Sequence, residues 1–150
     1  MDAFQFDDSC IQWRKLGDFD NFRYSILDID LKNHIADVLF KFAAHKPIVL
    51  HRHQTLNKTF VIRGEHRIYA ADGKLKEIRP VGSYTSSPAN REPHRECGGN
   101  DGAIVLFSIR CTNRYDELYE LLDDQQQCIG KLSFEDLISL QNTARKGSEL

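Results

Sequence analysis

The sequence predicts an all-β domain, an antiparallel sandwich or barrel, with one short helix at its C-terminal end. Between residues 24 and 109, short runs rich in Val, Ile, Phe, Tyr and Thr alternate with turn residues at a spacing of about ten. Beyond Leu132 the apolar period lengthens from that of a strand to that of a helix. No repeat or linker divides the 150 residues, which amount to one domain. Its expected parts are an N-terminal arm over 1–23, a barrel over about 24–132 and a helix over about 133–146.

The strands are expected at 24–29, 35–42, 48–53, 59–62, 66–70, 75–79, 83–86 and 103–110, each a run of β-branched and aromatic residues. Asp30-Leu31-Lys32-Asn33, Arg63-Gly64-Glu65, Ala71-Asp72-Gly73 and Pro80-Val81-Gly82 supply the turn chemistry between them. Asp72-Gly73 is the clearest hairpin signal, because glycine tolerates the positive φ of primed turns. The three glycines within 96–102 predict a flexible hairpin at the mouth of a pocket, since the segment lacks the lysine and strand-to-helix setting of a phosphate loop. The charges of Asp116, Glu117, Glu120, Asp123 and Asp124 predict a solvated face. In the helix, Ser133 and Asp136 form a capping box and Leu132 and Leu137 a staple across it. Phe134, Leu137, Ile138 and Gln141 share one face, and Gly147 is the expected stop.

Composition narrows the function classes. Lys plus Arg number 20 against 22 Asp plus Glu, so the basic footprint of a nucleic-acid binder is missing and no nucleic-acid partner is expected. No apolar run is long enough to span a bilayer, and no membrane partner is expected either. The start, Met1-Asp2-Ala3-Phe4, lacks the positive region and apolar core of a signal peptide, which predicts a cytoplasmic location. Cys10, Cys97, Cys111 and Cys128 are scattered without a CxxC pair and are expected to remain thiols. Cys97 in particular reads as a buried, inert one.

The chemistry concentrates around His51-Arg52-His53. Two histidines two residues apart on a strand project to the same face, which makes half of a metal site, or else two histidines at a strand end. His94 lies far downstream, where a barrel can bring it opposite the pair. Glu96 shares the face of His94 and is either a fourth ligand, an imidazole-orienting carboxylate or a solvated acid. His66 reads as an ordinary sheet histidine, His34 and His45 as surface residues.

These residues resemble the cupin superfamily, over roughly residues 35–109. Its first motif is Gly, five residues, HxH, three or four residues, Glu, six residues, Gly; its second is Gly, five residues, PxG, two residues, His, three residues, Asn. His51, His53 and Gly64 match the first motif, and Gly82 and Pro88 open the second. His45 replaces the first glycine, Asn57 stands at the Glu ligand position, Asn90 replaces the glycine of PxG, and His94 is displaced by one residue. Gly98, or Gly99 with the inserted residue, stands at the final Asn.

The resemblance implies an antiparallel double-stranded β-helix with two facing sheets. It also implies one divalent ion on His51, His53 and His94, with Fe(II) favoured and Zn, Ni, Mn or Cu as other occupants. Without the glutamate, three neutral imidazoles leave the ion's charge and an open hemisphere for a bidentate anionic substrate. That variant resembles cupin dioxygenases that cleave carbon–carbon bonds in small diketones or hydroxyketones with non-haem iron. Asn57 and Glu96 would then play supporting roles. A non-catalytic, sensor-type cupin that binds a metal or small ligand is the other reading, because one fold hosts both. Phe4, Phe6, Trp13, Phe19 and Phe22 give the arm an apolar surface that covers either its own barrel or a partner's, so a homodimer is expected.

Overall fold

The computed structural model describes residues 5–148. Nine strands and one helix follow in order: β1 (Phe22–Asp30), β2 (Ile35–Phe42), β3 (Leu50–His53), β4 (Leu56–Ala70), β5 (Leu75–Pro80), β6 (Tyr84–Ser87), β7 (Asn90–Arg110), β8 (Glu117–Leu122), β9 (Cys128–Ser133) and α1 (Phe134–Ser148). All named strand pairs are antiparallel. The path β1-β2-β7-β3-β8-β9 joins β4 through β7, and β4 also pairs β5 and β6. The long strands β4 and β7 thus link everything into one curled antiparallel sheet. Its interior is apolar, with Ala36, Val38, Val61, Val105, Phe107, Ile109 and Leu118 at 3% exposure or less.

Three expectations about chain direction are corrected. Arg63-Gly64-Glu65 is not a turn: the two expected runs fuse into β4, which passes Gly64 through register shifts against β7. Gly64 takes φ 73°, and a Cβ there would lie 2.2 Å from the Gly102 carbonyl oxygen. Glycine is therefore used to bring two strands together rather than to reverse one. Residues 96–102 are the middle of β7 rather than a separate hairpin, but 99–102 bulge out of its pairing with β4, between His66 opposite Gly98 and Gly64 opposite Ala103, and the bulge folds Gly98 against the Gly102 backbone where a Cβ would have no room. The acidic segment near 120 is not a purely solvated face. It contains β8, which buries Leu118, Tyr119 and Leu122 and pairs with β3 on one side and β9 on the other.

Turns after Asp30 and at Asp72-Gly73 stand where expected, the latter with Gly73 at φ 89°. His34 is a half-buried turn residue set edge-on to Phe134 rather than a free surface residue, whereas His45 is exposed. At the helix start the Ser133 hydroxyl accepts from the Asp136 amide and the Asp136 carboxylate accepts from the Ser133 amide, completing the capping box. Phe134 and Leu137 are buried on the β-body. The helix runs on through Gly147 to Ser148, beyond its expected stop. In the arm, Leu16 and Phe19 pack against the chain's own core and Arg14 bridges to Tyr24. Phe4 lies outside the described residues. Among the described residues no helix is long and apolar enough to cross a membrane.

Candidate metal centre

β3 is short, and its register places His51 opposite His94 of β7 while Arg52 turns outward to the Arg91 carbonyl and Glu120. Alternation along β7 then sends Glu96 to the same side as His94. The four side chains His51, His53, His94 and Glu96 are brought together in the barrel, each offering one ligand atom, and those atoms all lie within 4.8 Å of one another. The displaced His94 therefore joins the pair after all. Glu96, read from the sequence as a fourth ligand, an imidazole-orienting carboxylate or a solvated acid, is buried and lies among them.

Glu96 is the hub. Its Oε2 lies 2.9 Å from His51 Nε2, 3.7 Å from His94 Nε2 and 3.8 Å from His53 Nε2. Its Oε1 lies 2.9 Å from Nε2 of His66, which comes from β4. His66 is fully buried and stacked on Phe42 with 5.2 Å between ring centroids. The reading of His66 as an ordinary sheet histidine is thus corrected: it holds the oxygen of Glu96 that does not face the cluster. No local sequence signal marks it, since 30 residues separate it from Glu96 and only the β4·β7 register brings them together.

Burial alone would raise the Glu96 carboxyl, but the facing imidazoles of His51, His53, His66 and His94 outweigh it and hold the group well below the usual carboxylate range. Burial pushes His53 down to about 4 and lowers His94 as well, against the partial opposing pull of Glu96. At neutral pH both are therefore neutral imidazoles, the form that ligates a metal.

Two details show that these residues fit a cation. His51 Nδ1–H donates to the Val49 carbonyl at 2.8 Å, which orients the ring so that Nε2 points at Glu96 Oε2, 2.9 Å away. An imidazole nitrogen and a carboxylate oxygen set this close are held together by a proton between them or by a cation in the proton's place. The second detail is His53 Nε2, buried without a hydrogen-bond partner among the described residues. A buried polar atom in that state costs free energy, which coordination removes. The cluster can hold a divalent metal, and nothing in its donor set fixes which one.

Asn57, at the family's glutamate position, is engaged elsewhere. Its Nδ2 donates to the Thr55 carbonyl and its Oδ1 accepts from Tyr119 Oη at 3.0 Å. It still lines a polar cavity of about 570 Å³, together with His53, His94, Glu96, Thr59 and Arg79. Cys97 is buried on the other face of β7, and burial keeps its thiol protonated.

Against solved structures, the chain has the fold of RmlC-like cupins. One such cupin from Ralstonia eutropha JMP134 is 15% identical, with 94% of this chain and 85% of that one covered and a TM-score of 0.73. A Methylibium petroleiphilum PM1 protein provisionally assigned as an acetylacetone dioxygenase is 14% identical over 93% of this chain and 94% of its own, with a TM-score of 0.64. The polyketide cyclase RemF from Streptomyces resistomycificus is 17% identical over 71% of this chain and 78% of that one, TM-score 0.56. No protein-family model and no curated protein sequence matches the chain.

Proposed function

We propose that this chain is a metal-dependent cupin enzyme, a non-haem Fe(II) dioxygenase that cleaves a carbon–carbon bond in a small diketone or hydroxyketone. The observation that carries the reading is the convergence of His51, His53 and His94 on Glu96, with His51 Nε2 2.9 Å from Glu96 Oε2, in a buried cluster that opens on a polar cavity. The fold shared with a provisionally assigned acetylacetone dioxygenase supports it.

His51, His53 and His94 would hold the ion, with Glu96 Oε2 as the anionic ligand. Bound Fe(II) supplies Lewis acidity toward paired oxygens and electron exchange with dioxygen. The chain's own residues do the rest. The Val49 carbonyl orients the His51 ring, and His66 occupies Glu96 Oε1, so that Oε2 alone faces the three imidazoles. The cavity wall carries Lys76 and Arg79, cations suited to an enolate-type substrate; Arg79 is held in place by a two-point contact with Glu77. Tyr119, pushed well above its ordinary value by burial and then by the Glu96 charge, stays protonated and fixes Asn57 at the wall. No side chain in the cluster is a free nucleophile, so the substrate needs no covalent attachment to the protein.

The test is oxygen uptake by protein loaded separately with Fe(II) and Zn(II) on a panel of β-diketones and aromatic hydroxyketones, with product analysis under ¹⁸O₂. Uptake and label in the cleavage products with Fe(II) alone is the expected result, because zinc does not exchange electrons. Equal turnover with either metal would make the chemistry Lewis-acid only. No turnover on the panel with tight metal binding retained would favour a non-catalytic sensor.

A further inference from the structure

The cluster borders a second cavity of opposite character. It measures about 50 Å³ and is walled by Phe22, Phe40, Phe42, Ile48, Leu121 and Leu132, with His51 and Glu96 as its polar edge. His53 and His94 border the polar cavity instead, and Glu96 and Phe107 border both. The two spaces therefore meet the cluster through different residues. The larger, polar one suits an oxygen-bearing organic molecule. The smaller is too small for a diketone, and apart from its His51 and Glu96 edge its aromatic and aliphatic walls offer water no hydrogen bonds. Apolar cavities of this kind stay dry and take up small apolar species such as xenon.

We infer that this apolar cavity is a dioxygen site, delivering the gas to the His51 and Glu96 side of the cluster while the organic substrate occupies the polar side. The dioxygenase role rests on the function proposed above; gas occupancy does not. Leu16, Val49, Leu121 and Leu132 are half-buried members of the wall and mark its approach from the surface. Separate entry lets dioxygen reach a site whose polar side is already filled, and it keeps the polar cavity's contacts free for substrate.

Occupancy is measured on the Zn(II)-loaded protein, where no turnover intervenes, by the relaxation that dissolved dioxygen under pressure induces in methyl groups. The methyls of Leu121 and Leu132 are expected to relax several-fold faster than those of the similarly half-buried Ile29 and Ile138, those of Ile48 faster than those of the buried Val61 and Leu118, and a crystal under xenon to show one xenon atom in the cavity. Enhancement no greater than at these residues of matching exposure outside the cavity, with no xenon in it, would overturn the inference. Leu132→Phe, or Leu16→Phe in the arm should the first variant fold poorly, fills the space. Each is expected to abolish the enhancement, and in Fe(II) protein to raise KM for dioxygen several-fold while KM for the organic substrate and the metal content stay unchanged. A filled cavity with unaltered KM for dioxygen would overturn the delivery role. Gas occupancy in a protein that shows no oxygen uptake would remove the dioxygenase function and the delivery role with it, leaving only a gas-binding cavity.

Discussion

The neutral state of His53 has a measurable consequence for stability. Its folded value of about 4 lies below the 6.5 of a free imidazole, with burial as the main cause. Below pH 6.5 the unfolded chain takes up a proton at this position that the folded chain refuses, so stability falls as pH drops and the loss is complete only below about 4. Linkage over that interval gives roughly 2.5 kcal/mol lost between pH 7.5 and pH 4.5 from this one side chain. The ring is almost fully enclosed, so solvent screening takes little from the figure. His94 is shifted in the same direction and adds to the slope, while Glu96, held far below its ordinary value, stays ionised across the window. Urea unfolding of metal-free wild type and His53→Gln at both pH values isolates the term. The variant should lose about 2.5 kcal/mol less than wild type on acidification. Parallel losses in the two proteins would refute the assignment of His53 as a neutral, desolvated imidazole.

Further outcomes follow from single contacts. His51→Gln should abolish stoichiometric metal binding measured by elemental analysis after dialysis, because it removes the imidazole that Val49 orients. His66→Leu should weaken metal binding by about 10–100-fold in chelator competition, the usual cost of losing a residue that orients a ligand, and His66→Gln should recover part of it by donating to Glu96 Oε1. Gly64→Ala should lower unfolding stability by about 3 kcal/mol, from overpacking against Gly102 and the positive φ, as read by the urea midpoint. The homodimer proposed from the arm's aromatic residues requires light scattering to give twice the 17.3 kDa chain mass; a species of 17.3 kDa alone would exclude it.

Alternation made the metal half-site legible: His51 and His53 must share a strand face, and the glycine and proline frame around them pointed to the cupin fold and to His94. Glycine misled where it serves contact rather than turning. Gly64 lets β4 approach β7, Gly98 lets β7 fold onto its own Gly102, and Gly102 lets β7 approach Phe42 of β2, each within a distance that a Cβ would forbid, so these segments belong to strands although their composition reads as loop. β8 was hidden because its burial does not alternate cleanly: Leu118 and Tyr119 are both buried at a register shift against β9. His66 was out of reach for a different reason. Its partner is a matter of cross-strand register, with His66 opposite Gly98 and Ile68 opposite Glu96, and no spacing along the chain encodes that. The family's glutamate position holds Asn57, which diverted attention from the carboxylate that β7 supplies two residues after His94.

The claim on which everything else depends is that one divalent ion sits among His51, His53, His94 and Glu96. Anomalous diffraction from crystals of the metal-loaded protein, collected at the absorption edge of the added ion, tests it most directly. The account predicts a single peak about 2.0 to 2.2 Å from the three Nε2 atoms and from Glu96 Oε2 if the ion is zinc or a similar first-row metal. A peak elsewhere, or none with the four side chains unmoved, would contradict it.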